Sequence, residues 1–409
     1  MSEYYDVDLD KFKHLVSERA LKGETMVLNM GPQHPSTHGV LRVILELDGE
    51  KVVSCIPDVG FLHTGIEKDM EAKTFEKAEV MTDRMDYMNS VGTNLAYCMA
   101  IEKLAELDVP PRAQAIRVIL AELNRLSNHL LWLGTTGLDV GALSMFFYCM
   151  REREQILNIM ELVSGHRMMT TFIRPGGLWR DVPAEFEDNV RDFCCTLRPR
   201  IDQYEDLLTK NEIFLDRTQN IGVITTEQCI QWGITGPFLR ATGMAYDLRK
   251  VQPYCGYEQY DFEIPTRTGG GVYSRYQVRV EEMRQSANII EQALEKLPYG
   301  PVRSSNRKYV PPPRSEIGVS MEALIHHFKL WTEGFSLPKG SVYVPIESPK
   351  GEMGVYLESD GGTKPHRVHF RTQSFAIVQV LPLLVKGHFV ADVVAIVAST
   401  DIVLGDVDR

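Results

Sequence analysis

Apolar residues recur every third or fourth position through the middle of the chain and every second position towards its two ends. From Pro110 and Pro111 onward, Ile116, Leu120, Leu123, Leu126 and Leu130 fall on one stripe, which predicts a helix opened by proline. Similar spacing predicts helices over Tyr87 to Leu107, Ser144 to Ser164 and Pro183 to Leu208. Short links between them suggest a bundle. Met283, Ala287, Ile290, Leu294 and Leu297 mark a further amphipathic helix from about Val280, stopped by Pro298. Near the N-terminus, ETMVLNM and VLRVILEL read as strands, the second closing in the turn DGEK. Between them, the glycines and prolines of GPQHPSTHG rule out both helix and ladder, so this segment is a loop. Past PPPR, a helix over SMEALIHHFKLWTEG leads into SVYVPIE, GEMGVYLESDGG and KPHRVHFRT, strands around a Gly-Gly hairpin.

These elements predict an α+β fold in which a central helical bundle is flanked by small β regions from both ends of the chain. The divisions are an N-terminal arm over 1–23, a β region with its loop over 24–64, the bundle over 65–310 and a C-terminal helix and β region over 311–409.

Composition narrows the function classes. With 44 basic and 55 acidic residues the formal net charge is -11, so the molecule as a whole repels nucleic acid. The polar, acidic start lacks the basic and apolar parts of a signal peptide, which predicts a protein that stays inside the cell. The most apolar tracts, Leu130 to Met150 and Ala376 to Ser399, are broken by Asp139 and three glycines, and by Pro382, Lys386, His388 and Asp392. Both read as core segments and not as membrane spans. None of the seven cysteines shows CxxC spacing, so no iron–sulfur or zinc site is expected. Adjacent Cys194 and Cys195 read as helix residues facing different ways, with a vicinal redox pair as the alternative.

Several polar residues interrupt apolar surroundings. His34 and His38 in the loop, with His63 nearby, fit three readings: a metal site, ordinary loop residues, or a proton donor at His38. No HExxH spacing or cysteine supports the first. Tyr87 opens a predicted helix beside Arg84 and Asp86, where packing with a satisfied hydroxyl is the ordinary reading. Asp139 is the single charge in a long apolar stretch, which suits either a helix cap or an acid with a raised pKa. Glu122, Arg125, His129 and Arg174 read as buried ion pairs or caps. No phosphate-binding motif is present, since GTTGLDVG and TRTGGGVYSR lack the required context.

The segments MGPQHPSTHGVLR, GFLHTGIEK, MTDRMDYMN, PPRAQAIRVILAELNRLSNHL, IRPGG, SPKGEMG and the terminal GDVDR together resemble the quinone-site subunit family of respiratory NADH:quinone oxidoreductase, complex I, from about residue 24 to residue 409. Related chains serve ferredoxin-dependent quinone reductases, and the large subunit of nickel–iron hydrogenases is a remoter relative. That hydrogenase family holds its metal with two CxxC pairs. Here the corresponding positions are Asp86, Asn89, Val403 and Asp406, and hard oxygen ligands with a valine cannot replace four soft thiolates.

The resemblance implies a hydrogenase-large-subunit-like fold and a site for quinone, the substrate, shared with a neighbouring iron–sulfur subunit that carries the terminal 4Fe-4S cluster. This chain would hold no metal or cofactor of its own. Tyr87 resembles the phenol that hydrogen-bonds one quinone carbonyl, His38 the ligand of the other, and Asp139 the carboxylate partner of that histidine. Arg84 is similar to the arginine beside the cluster. Met169 stands where many members place a histidine near it, so the cluster potential is expected to vary little with pH. The remaining expected partners are other peripheral-arm subunits and a membrane-arm subunit at the quinone entrance. The expected location is peripheral, on the cytoplasmic side of the inner membrane. Two rivals remain open: the same role with ferredoxin as donor, which co-purifying subunits would decide, and a non-catalytic scaffold, which protection of Tyr87 by a quinone analogue would exclude.

Overall fold

The computed structural model describes Arg19 and residues 24–34 and 39–409. The N-terminal arm other than Arg19, and His38 with its three preceding residues, lie outside the described residues. The N-terminal β region is an antiparallel sheet of β1 (Met26–Met30), β2 (Arg42–Asp48) and β3 (Lys51–Asp58), with β2 in the centre and a register shift between Glu46 and Leu47. The apolar run of β2, interrupted only by Glu46, is explained by its burial on both faces. Glu46 is tolerated there because its carboxylate accepts from the Thr25 and Ser54 hydroxyls at 2.8 and 3.2 Å.

Two short helices, α1 (Ile66–Ala72) and α2 (Phe75–Thr82), lead to the bundle. Its members are α3 (Ser90–Ala105), α4 (Pro111–Asp139), α5 (Leu143–Ser164), α6 (Phe186–Leu208) and α7 (Val272–Glu295). A two-residue pair, β4 (Ile173–Arg174) and β5 (Gly177–Leu178), carries the IRPGG turn. The core is built on α4: Ile116, Leu120, Leu123, Leu126 and Leu130 are all buried to 1% exposure or less, each contributing about 1.5–3 kcal/mol relative to exposure.

Helix α4 runs on to Asp139, through glycines that the sequence pattern treats as breaks. The reason is close packing on α5: a Cβ at Gly137 would lie 2.9 Å from the Met145 Cβ, and one at Gly134 3.3 Å from the Phe146 Cα. Helix α7 begins at Val272, eight residues before the expected start. Its first two turns hide their stripe behind buried arginines, Arg275 stacked over Phe238 at 3.9 Å and Arg279 over Trp132 at 4.2 Å. The helix expected from Tyr87 begins instead at Ser90, so Tyr87 sits in the turn before it. Asp86 causes this, its carboxylate accepting from the Met88 and Asn89 backbone N–H groups at 3.2 Å.

At the C-terminal end, α8 (Met321–Thr332) precedes a second antiparallel sheet of β6 (Gly340–Ser348), β7 (Gly351–Ser359) and β8 (Arg367–Arg371), which packs on α3. The apolar tract after it forms two buried helices, α9 (Gln373–Val385) and α10 (Val390–Thr400), and the chain closes with α11 (Leu404–Asp408). No helix among the described residues is long and apolar enough to cross a membrane. The expected α+β architecture is therefore observed. Cys194 is buried and Cys195 exposed, as two faces of one helix require.

Candidate functional site

The turn from Asp83 to Asn89 joins α2 to α3 and presents Arg84, Asp86 and Tyr87 in three directions. Arg84 is exposed, its guanidinium donating to the Val80 carbonyl at 2.6 Å. Asp86 points into the core, where the Lys350 ammonium meets its carboxylate at 3.0 and 3.2 Å. Tyr87 is half-buried beside a narrow recess walled by Ser90, Asn124, Arg153, Met160 and Met168. Its hydroxyl has no hydrogen-bond partner among the described residues. Burial, and then Asp86, raise its pKa, while Lys350 pulls the other way. Tyr87 is thus a neutral donor at pH 7 with no acceptor among the described residues.

The loop before IRPGG is fastened to the same turn. The Thr171 backbone N–H and hydroxyl both donate to the Asp83 carboxylate, at 2.7 and 2.6 Å, and the Ser90 hydroxyl donates to the Met168 carbonyl. Met169, half-buried, therefore shares one corner with Arg84 and Tyr87. Asp83 itself was missed from the sequence: burial pushes its carboxyl up to about 6 despite the Thr171 bonds. Arg174 donates to Glu79 at 3.2 Å, and burial pushes Glu79 up to about 8.

Asp139 is placed differently. It ends α4, is partly exposed, and has no partner among the described residues; burial alone pushes its carboxyl up to about 6. At 1.5 Å per residue it lies about 18 Å along the helix axis from Ser127, which lines the Tyr87 recess. The structure does not bring Asp139 against Tyr87, and His38 is outside the described residues. Leu138, Leu143 and Phe147 around Asp139 are exposed at 43%, 54% and 61%, an apolar surface at this end of the bundle.

Behind Tyr87 the interior is charged. The carboxylate of Glu122 accepts from Arg125, Arg249, Tyr257 and Ser286. Burial opposes this charge, but Arg125 and Arg249 outweigh it and hold Glu122 down at about 2. Arg240 bridges Glu282 and Glu347 at 2.8 and 2.7 Å, and His129 bonds Glu282 at 2.9 Å. The sequence reading of Glu122, Arg125 and His129 as buried ion partners matches this arrangement. Removing one member of such a network leaves an uncompensated charge, at a cost of about 3–5 kcal/mol. Arg117 plays the same part for IRPGG, joining Glu102 to the Arg174 and Gly177 carbonyls. His63 is spent on the C-terminus, its Nδ1 lying 2.7 Å from the Asp408 carbonyl oxygen.

A larger cavity of about 690 Å³ opens between Arg174, Trp179, Arg303, Tyr309, Trp331 and Phe335. None of the residues singled out at Tyr87 or Asp139 lines it, and its arginines 174 and 303 already bond Glu79 and the Leu178 carbonyl. Size alone gives it no chemistry, so the candidate site is the turn at Tyr87.

Residues 139–409 match the family described as the respiratory-chain NADH dehydrogenase 49 kDa subunit. The chain is 58% identical over 399 residues to the second D subunit of the NADH-quinone oxidoreductase of Chloroflexus aurantiacus, covering 96% of this chain and 97% of that one. It is also 58% identical to the second D subunit of the same enzyme in a Roseiflexus species, covering 96% of both chains. The NADH-quinone oxidoreductase D subunit of Thermus thermophilus is 52% identical over 391 residues, again covering 96% of both. With this coverage and the fold in agreement, the chain belongs to the D subunit, or 49 kDa subunit, family of NADH-quinone oxidoreductase and is a subunit of an oxidoreductase complex.

Proposed function

We propose that this chain forms one wall of the quinone-reduction site of a proton-translocating NADH:quinone oxidoreductase, the other wall being the iron–sulfur subunit that carries the terminal 4Fe-4S cluster. The observation that carries this reading is the Tyr87 hydroxyl, protonated, half-buried and without a partner among the described residues, beside a recess too narrow to be a complete site on its own. A site completed by a second subunit explains both. Tyr87 donates to one quinone carbonyl and His38 to the other. Asp139, raised to about 6 with no partner among the described residues, is stabilised as a carboxylate when His38 approaches as a cation. Arg84, exposed at the same turn, faces the cluster, where a cation favours the reduced form.

Reduction of a quinone to a quinol takes two electrons and two protons. The electrons come from the neighbouring cluster, and the protons from Tyr87 and His38, which stabilise negative charge as it develops on the two oxygens. Loss of these protons leaves a phenolate and an unpaired Asp139 in poorly solvated surroundings. That cost biases the loop over 31–39 towards a second arrangement, which signals the membrane arm. The apolar surface at Leu138, Leu143 and Phe147 is suited to cover by the membrane-arm subunit at the quinone entrance, with the complex holding this chain peripherally on the cytoplasmic side. The test is turnover in the assembled complex: Tyr87→Phe or His38→Ala should lower quinone reduction by roughly 100-fold while NADH still reduces the cluster. Unchanged quinone turnover removes these roles.

A further inference from the structure

The turn from Asp83 to Asn89 and the C-terminal segment from Asp401 to Asp406 meet in this fold, and an ammonium lies between them. Gly405 packs so closely on the turn that a Cβ there would lie 2.5 Å from the Met85 carbonyl oxygen. Lys350, 1% exposed as a side chain, reaches this junction from the turn between β6 and β7. It donates to both Asp86 oxygens and, at 2.7 Å, to the Asn128 Oδ1. The Asn128 amide then donates to Asp401 at 2.7 Å, so its oxygen faces a cation and its nitrogen an anion. Asp406, 4% exposed, is the third buried carboxylate near the ammonium. Burial would depress Lys350, but Asp86 and Asp401 carry it above the ordinary lysine value.

Nothing about stability demands a lysine here. A buried ion pair is commonly matched or bettered by apolar residues of the same volume, so its presence among three carboxylates asks for another explanation. The side chain is aimed with care. The Lys350 backbone N–H donates to the Ser348 hydroxyl, the Glu352 N–H donates to the Thr235 hydroxyl, and Arg125 holds the Glu347 carbonyl at 2.6 Å, which fixes both arms of the hairpin. Asp86 is the residue immediately before Tyr87, and it also shapes the turn that presents Tyr87.

We propose that Lys350 is a positioning residue for quinone reduction: its ammonium fixes Asp86, and with it the Tyr87 turn, and offsets the negative charge left on the phenol oxygen when Tyr87 gives its proton to the quinone. The inference rests on the reading of Tyr87 as donor. The ammonium keeps its own proton throughout and has no contact with substrate, so its effect is on kcat and not on quinone affinity.

The experiment uses the assembled complex carrying Lys350→Met, Lys350→Arg, the paired Asp86→Asn/Lys350→Met, or Tyr87→Phe. Rates are normalised to the amount of terminal cluster reduced by NADH. The paired variant removes the ammonium together with the carboxylate it bonds directly, so Asp86 is not left unpaired. Lys350→Met and the paired variant should lose roughly tenfold or more in quinone kcat with KM changed less than about threefold, and Lys350→Arg should recover part of the loss. If the paired variant has wild-type kcat per assembled complex, or is impaired only in assembly, while Tyr87→Phe is inactive, Lys350 has no such role. If Tyr87→Phe itself is fully active, the donor reading beneath the inference fails instead.

Discussion

Tyr87, Asp86 and Asp83 lie within one turn, yet their surroundings give them separate tasks. Tyr87 keeps its proton, Asp86 is bonded through both oxygens to the Lys350 ammonium, and burial pushes Asp83 up to about 6 while it is tied to Thr171. The last point qualifies the expectation drawn from Met169. A chain with methionine at that position lacks the imidazole expected there, but Asp83 is a titrating group fastened to the same loop. Asp83 is pushed up to about 6, so any slope of the unmodified complex should begin near pH 6 and fade as the pH rises above it. Met169→His should restore a slope in the pH 7–8 window, because reduction of the cluster raises the imidazole's pKa. A redox titration of the terminal cluster in the assembled complex checks this: the variant should approach roughly 59 mV per pH unit, and a slope of that size in the unmodified complex contradicts the account. Met169 was singled out through the family resemblance of its segment. Asp83 was not, because its burial depends on a partner nearly ninety positions away.

At the scale of elements, helices with one apolar stripe were readable and their ends were not. The core of α4 followed directly from leucine spacing, but its length was set by Gly134 and Gly137, whose value is the closeness of α5 and not any local preference. The start of α7 was hidden for the opposite reason, since Arg275 and Arg279 look solvent-facing in sequence and are fully buried in fact. The same dependence on distant packing gives a prediction at α11. Gly405→Ala places a methyl group 2.5 Å from the Met85 carbonyl oxygen and 3.4 Å from that of Arg84, both backbone atoms that cannot swing aside. The substitution should destabilise the junction by about 1–3 kcal/mol and lower quinone turnover through the displaced Tyr87 turn. Thermal denaturation of the assembled complex and its quinone rate check this, and a variant unchanged in both would mean that the two segments are not rigidly joined.

For the molecule as a whole, the sequence indicated an α+β fold and the family, but not the charged interior. Arg117, Arg125, Arg240, Arg249, Arg275 and Arg279 are among the largest fully buried side chains; the first four pair with carboxylates, several of them far away in sequence, while Arg275 and Arg279 bond the Ser399 hydroxyl and carbonyl. Lys350 was read only as part of a motif, although a lysine between a proline and a glycine at a hairpin turn could have been questioned. The recess at Tyr87 is a wall and not a chamber, which is the form expected of a site assembled between subunits. The most direct measurement is therefore a structure of the assembled complex with a quinone analogue bound. The account predicts the Tyr87 hydroxyl within about 3 Å of one carbonyl oxygen, the His38 imidazole at the other, and Asp139 against that imidazole. A head group bound away from Tyr87, or Tyr87 and His38 facing separate surfaces, contradicts it.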